Sequence, residues 1–228
     1  MTHASPRKRA PSARSLATRA RIFDAAERLF AERGYDGASL RDIAAAADTT
    51  AGLVGFHGGA KHDLFRAVIA RRAQELGDLR LGLLAARPGA DLRAVLDACL
   101  SPVVDKALHG GPQWRAYARL MAIVSADPRW RAIAEAHFDP VANRFVDAIA
   151  ALHPHAPRAA AAEGYVYVIS ACLAACTAGW RAEALSGARS AADMQGLLDF
   201  CEGGLRLALR ADPGRAAAGD CGPDAGDP

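Results

Sequence analysis

Apolar residues recur with a helical period along almost the whole chain. Ile22, Ala25, Ala26, Leu29 and Phe30 fall at i, i+3, i+4, i+7 and i+8, a single stripe on one helix face. The pattern predicts a first helix capped by Thr18 and stopped by Gly34 in ERGYDG. Ser39 and Asp42 then form an S-x-x-D capping box ahead of Leu40, Ile43, Ala44 and Ala47, which predicts a short second helix. Asp48, Thr49 and Thr50 break the period with residues that favour caps and turns, and Thr50 is placed to cap a third helix. A long pattern resumes after Lys61 at Leu64 and Val68, runs to Leu83 and Leu84, and ends in RPGAD. Further helices are expected at about 91–108, 113–126, 129–152, 158–186 and 191–210, separated by HGGP, ADPR, HPHAPR and SGARS. With no internal repeat and no sustained strand-like alternation, the prediction is an all-α chain of about nine helices.

The same pattern divides the chain. Residues 1–17 are rich in Pro, Ser and Arg and read as a disordered basic arm. Residues 18–66 carry the three closely spaced helices, 67–210 the longer ones, and 211–228 a low-complexity tail expected to be disordered. Abundant alanine and only 6% aromatic residues reinforce the helical reading. The net charge of +3 is unevenly placed, since residues 1–66 hold eleven Lys/Arg against seven Asp/Glu. Arg7, Lys8, Arg9, Arg14, Arg19 and Arg21 precede the first acid, an electrostatic footprint suited to phosphates.

Five cysteines (99, 172, 176, 201 and 221) without a CxxC pair suggest reduced thiols in a cytoplasm. The N-terminal residues are polar and basic where a secretory signal would be apolar. The longest uncharged run, GYVYVISACLAACTAGW at 164–180, is short for a membrane span and reads as a helix buried on most sides, so no membrane partner is expected.

The segment AGLVGFHGGAKHDL, residues 51–64, admits three chemistries. A phosphate loop requires G-x-x-x-x-G-K-[ST] after a strand, yet Lys61 is followed by His62 and no strand precedes it. A metal corner is disfavoured because His57 and His62, at i, i+5, point to different helix faces, and His153 and His155 flank Pro154 in a loop. Cys172 and Cys176 share a face, either as a thiol pair or as small apolar groups in a buried helix. No G-x-S-x-G elbow or split carboxylate pair is present, so neither an enzyme nor a cofactor is implied. The third chemistry accounts for every residue. A short helix, a turn and another short helix make a helix-turn-helix, whose last element enters the major groove of DNA. Ala51 and Gly52 would then permit close approach to DNA, Gly58 and Gly59 would end the reading helix, and Lys61 would reach a phosphate.

The stretch RIFDAAERLFAERGYDGASLRDIAAAADTTAGLVGFHGGAKHDLF, residues 21–65, resembles the N-terminal pattern of the TetR family of bacterial transcriptional regulators. The resemblance implies an operator-reading protein built from a helix-turn-helix domain followed by a helical domain that dimerises through its last two long helices and binds a small organic effector. It implies a repressor released from a palindromic double-stranded DNA operator. It also implies DNA-facing roles for Ser39, Arg41, Thr50, Ala51, Gly52 and Leu53, and phosphate contacts near Gly55, Phe56, His57 and Lys61. Three residues depart from the family pattern. Gly55 replaces a common Tyr or Asn, Phe56 lacks the hydroxyl of a common Tyr, and Gly58 replaces an aromatic that packs on the first helix. A thinned phosphate grip follows, and an all-α ligand-binding dimer with weakened or lost DNA binding is the alternative reading.

For the effector, Trp114, Tyr117 and Met121 lie at i, i+3 and i+7, and Phe138, Val141, Phe145 and Ile149 form a similar stripe. Tyr165 and Trp180 add polar-tipped aromatics, and Arg115, Arg119 and Arg144 are available to an anionic ligand, although ordinary core or solvated surface explains each residue as well. Small residues at 171, 174, 175 and 178, with Leu197, Leu198, Leu205 and Leu209, are the dimerisation candidates.

Overall fold

A computed structural model describes residues 12–187 and 193–210. Among them are eleven α-helices and one 3-10 turn, with no strand. The order is α1 (Ala13–Gly37), α2 (Leu40–Ala46), α3 (Ala51–Gly58), α4 (Lys61–Ala85), α5 (Leu92–His109) and α6 (Pro112–Ala126). After the 3-10 turn (Pro128–Trp130) come α7 (Arg131–His137), α8 (Asp139–Leu152), α9 (Arg158–Thr177), α10 (Gly179–Ser186) and α11 (Met194–Ala208).

Two expected helices are broken and one is extended. The 129–152 segment divides into the 3-10 turn, α7 and α8, and at the second break Pro140, in the first turn of α8, has no N–H to carry α7 onward through Phe138. The 158–186 segment divides at Ala178, which leaves the helical region with φ −118° and ψ 20°. The first helix starts earlier than expected. Ser12 caps it, accepting a 3.2 Å bond from the Ser15 N–H, so residues 13–17 are helical and Thr18 lies inside. Arg14, Arg19 and Arg21 therefore ride on the exposed face of α1, whereas Arg7, Lys8, Arg9, Cys221 and the tail lie outside the described residues. Gly34 does interrupt the helix, with φ 71° and ψ 172°.

The buried side chains form one continuous cluster. At one end Ile22, Ala26 and Phe30 of α1 pack with Ile43 of α2, Val54 of α3 and Leu64, Phe65 and Val68 of α4. At the other, α5, α6, α8, α9 and α11 surround Leu96, Leu100, Leu120, Phe145, Val168 and Leu205. α4 belongs to both ends, and two seams fix it. Fully buried Glu27 of α1 accepts from Arg71 at 2.7 Å and Arg72 at 3.1 Å, while Asp24 accepts from Arg71 at 2.8 Å. Trp130 packs on Phe65 at 4.6 Å and Tyr35 at 4.9 Å between ring centroids, beside an Arg129–Asp36 ion pair of 2.8 Å. By length and apolarity α9 is the one described helix able to cross a membrane. Its inner face packs on α5, α6, α8 and α11, and its outer face, with Val166, Tyr167 and Ala174, is exposed, so it is less enclosed than expected.

Candidate nucleic-acid interface and interior cavity

Local capping chemistry positions α2 and α3. The Ser39 hydroxyl accepts from the Asp42 N–H at 3.1 Å and donates to the Asp42 carboxylate at 2.6 Å, while that carboxylate accepts from the Ser39 N–H at 3.0 Å. These bonds hold the Asp42 carboxyl below its usual pKa, and they commit the Ser39 hydroxyl proton to the cap. The turn closes through Asp48 in the left-handed region, φ 48°, a conformation that Asp tolerates better than most residues. Thr50 then accepts from the Leu53 N–H at 3.3 Å and starts α3.

The structure brings the sequence-derived DNA residues onto consecutive elements. Arg41 on α2 is exposed and makes no hydrogen bond or ion pair among the described residues. Thr50, Ala51, Gly52, Leu53 and Phe56 are exposed on α3, Phe56 to 79%. Gly55 and His57 are half-buried, and the His57 ring meets Phe56 edge-on at 5.0 Å. Lys61 opens α4 with its Nζ 4.4 Å above the Tyr35 ring. The outward face of α3 thus presents no charged side chain, and the cations lie on either side of it.

The glycines divide their tasks. Gly52 and Gly55 face open space, the nearest atom to a Cβ at Gly52 being Thr50 Oγ1 at 3.9 Å. The close approach is internal, at buried Gly58. A Cβ there would stand 2.7 Å from Leu64 Cδ1 and 3.2 Å from Leu64 Cβ. Fully buried Leu64 takes up the space against α3 at this glycine. Gly59, at φ 74° and ψ −149°, ends the helix in a region that only glycine enters readily.

A second candidate site lies where α4, α6, α7, α8 and α9 enclose a cavity of about 200 Å³. Tyr117, Met121, Phe138 and Tyr165 line it, with Leu76, Gly77 and Leu173. Trp114 and Phe145 do not, which corrects their assignment. Trp114 lies one turn before Tyr117 on α6, its ring edge-on to Tyr117 at 5.8 Å and covered by Arg72 and Lys106, and Phe145 is sealed in the core. Trp180 is 63% exposed on α10, and Arg115, Arg119 and Arg144 point to solvent. The cation at the cavity is instead Arg80, absent from the sequence-derived set. Its Nε donates to Cys99 O at 2.9 Å, its Nη2 to Cys99 Sγ at 2.9 Å and Tyr165 Oη at 3.0 Å, and its guanidinium lies 4.9 Å from the Phe145 ring centroid. Burial pushes the Tyr117 and Tyr165 hydroxyls above their usual pKa. It pushes His137, whose buried Nε2 has no partner, below its own, with the Arg66 charge assisting.

Among the dimerisation candidates, Leu198, Leu205 and Leu209 turn into the protomer's own core and Leu197 is half-buried. Outward on α11 are Phe200, Gly203, Gly204 and Leu207, at i, i+3, i+4 and i+7, with Tyr167 of α9 beside Phe200 and Gly204. Cys172 and Cys176 do share a face. The hydrogen bond between their thiols, together with burial, holds Cys172 well above the usual range. No group of three or more metal-ligating side chains occurs among the described residues.

Comparison with known proteins matches both ends of the chain to one family. Residues 22–68 fit the model for bacterial regulatory proteins of the tetR family, and residues 97–204 fit a tetracyclin repressor-like C-terminal domain. The HTH-type transcriptional regulator AcrR of Shigella flexneri is 36% identical over 91 residues, 40% of this chain. The match spans 42% of the AcrR chain, less than half its length. A TetR-like transcriptional regulator from Rhodococcus sp. RHA1 shares the fold with a TM-score of 0.60 at 19% identity, over 87% of this chain and 99% of that one. NalD of Pseudomonas aeruginosa, the secondary repressor of the MexAB-OprM multidrug efflux pump, does so at 0.56 and 22% identity, over 86% and 96%.

Proposed function

Because the chain belongs to the TetR family of bacterial regulatory proteins, we propose that it is a homodimeric, cytoplasmic transcriptional repressor that leaves a palindromic DNA operator when a small organic effector binds. The observation that carries this reading is a capped helix-turn-helix whose exposed α3 stands beside the unpaired guanidinium of Arg41. α3 enters the major groove and presents Leu53 and Phe56 to base edges, where an apolar side chain distinguishes thymine by its methyl group. Arg41, Lys61 and the arginines of α1 supply the phosphate contacts that α3 lacks.

Two protomers associate through the apolar outer faces of α9 and α11, where Val166, Tyr167, Phe200 and Leu207 are 55–72% exposed. The dimer doubles the reading head to match a two-fold operator. Effector control runs along α4, whose first half is clamped to α1 by Glu27 and whose second half lines the cavity through Leu76, Gly77 and Arg80. A ligand that prefers an α4 position in which the two heads no longer fit the groove shifts the population off DNA.

The test is selection of bound duplexes from a genomic pool, followed by anisotropy titration of the winner in increasing salt for wild type and Arg41→Ala. A palindromic winner, bound less tightly in high salt and by the variant, is expected. An absence of enriched sequence and of salt-dependent binding would leave the alternative, a helical ligand-binding dimer that no longer grips DNA.

A further inference from the structure

We propose that the cavity is selective for a compact organic anion, a carboxylic acid with a small apolar body whose carboxylate is held by Arg80. The inference rests on the reading of this cavity as the effector site. Arg80 is only 7% exposed, and a guanidinium does not shed its proton in a protein. A buried charge calls for an opposite charge. Elsewhere this chain supplies one. Arg71 and Arg72 meet Glu27, Arg87 meets Asp97, and Arg93 meets Asp199 and Glu202. Arg80, the most buried of them, has only neutral acceptors, the Cys99 carbonyl and thiol and the Tyr165 hydroxyl. No carboxylate lies within 4.0 Å of it among the described residues, and its Nη1 donates to none of them. The carboxylate among the lining residues, Asp139, is exposed and forms no ion pair with Arg80.

The surroundings suit an incoming anion. Tyr165 accepts from Arg80, so its own proton is free to be donated, and burial keeps both this hydroxyl and that of Tyr117 protonated. A carboxylate facing Arg80 would therefore meet donors from a guanidinium and a phenol at once, the short charge-assisted arrangement that favours an anion over its neutral isostere. Met121, Phe138, Val141, Ile169 and Leu173 form the apolar remainder of the wall. The volume of about 200 Å³ falls below the range of about 300–1,000 Å³ typical for drug-sized ligands, which points to one ring or a short chain.

Calorimetry on the full chain without DNA tests this, using phenylacetate and hexanoate, the matched amides phenylacetamide and hexanamide, and the cation phenethylamine. At least one acid is expected to bind about ten- to a hundredfold more tightly than its amide, the difference between a charged and a neutral hydrogen-bonded pair. Arg80→Gln should bring that ratio close to one. Should Arg80→Gln fail to fold, Tyr165→Phe, which removes one hydroxyl, should still lower acid affinity severalfold and amide affinity by less, because the hydrogen bond to the charged acceptor is the stronger. Equal binding of acid and amide, preference for the amine, no acid binding at millimolar concentration, or an unchanged ratio in the variants each overturns the proposal. Acid binding by a protein that binds no operator would uphold the carboxylate site and sink the repressor reading. Operator binding with no acid bound would do the reverse.

Discussion

Replacing Phe56 by alanine isolates how an uncharged recognition helix holds DNA. A phenylalanine side chain presents on the order of 200 Å², and at 79% exposure about 150 Å² of it is open in the free protein. If half of that is covered in the groove, burial at about 25 cal/mol per Å² contributes about 2 kcal/mol per half-site. Alanine retains part of this, so the loss is about 1.5 kcal/mol per half-site, or about 3 kcal/mol and roughly a hundredfold in Kd for a two-fold operator. Because the ring carries no charge, the slope of log Kd against log salt should stay unchanged. Arg41→Ala, by contrast, should reduce that slope by about 1 per protomer. Anisotropy titrations at several salt concentrations separate the two effects. Substituting deoxyuridine for thymine under α3 should weaken the wild type and leave Phe56→Ala unaffected, a double-mutant cycle on a single methyl group. A Phe56→Ala loss of less than about threefold, or one accompanied by a shallower salt slope, would refute apolar reading by this helix.

Glu27→Gln removes the charge that Arg71 and Arg72 share and should destabilise the protein by about 3 kcal/mol or more in urea unfolding, whereas a change below about 1 kcal/mol would mean the seam is not desolvated. Gly55→Ala, entering open space in a helix, should raise stability by about 0.5–1 kcal/mol, while Gly58→Ala should lower it because Leu64 cannot retreat; identical thermal shifts for the two would refute the packing argument. His137 favours its neutral form in the fold, so the unfolded chain binds the extra proton as pH falls below its usual pKa of 6.5. Stability is therefore fully present above that value and is lost as pH drops toward the depressed folded pKa. The urea midpoint of His137→Asn should vary less over this interval, and parallel profiles would exclude the residue as the titrating group.

Local chemistry was legible in the sequence and tertiary phase was not. The Ser39–Asp42 capping box and the Thr50 cap occur where the spacing places them, because each involves residues three apart. The exposed positions of α3, Ala51, Gly52, Leu53 and Phe56, follow from those caps. Apolar periodicity continues through Phe138 and Ala178 although the backbone does not, so spacing alone predicts single helices at 129–152 and 158–186. On α11 both faces are apolar, Leu198, Cys201 and Leu205 inward and Phe200 and Leu207 outward, so periodicity alone could not tell core from interface. Trp114 and Phe145 share the helical spacing of residues that do line the cavity, and only the packing of neighbouring helices separates them. Arg80 does carry a signal in the sequence. It falls in step with Ile69, Ala73 and Leu76, a lone charge on the buried stripe of α4.

That position gives α4 an unequal pair of electrostatic anchors. Its first half is held by a carboxylate from its own chain, Glu27, and its second half carries a cation that no carboxylate among the described residues meets. A buried ion pair is a weak source of net stability, since desolvation offsets most of the attraction, but losing one partner is costly. Glu27 therefore contributes register, tying any displacement of α4 to α1 and so to the reading head. At Arg80 the missing charge leaves room for a ligand to supply it, and the ligand's grip then depends on where α4 stands. The free energy required is small. Coupling of about 1–3 kcal/mol between two sites is enough for regulation, and a single charge-assisted hydrogen bond of about 1.5–3 kcal/mol, made in one α4 position and broken in the other, lies in that range.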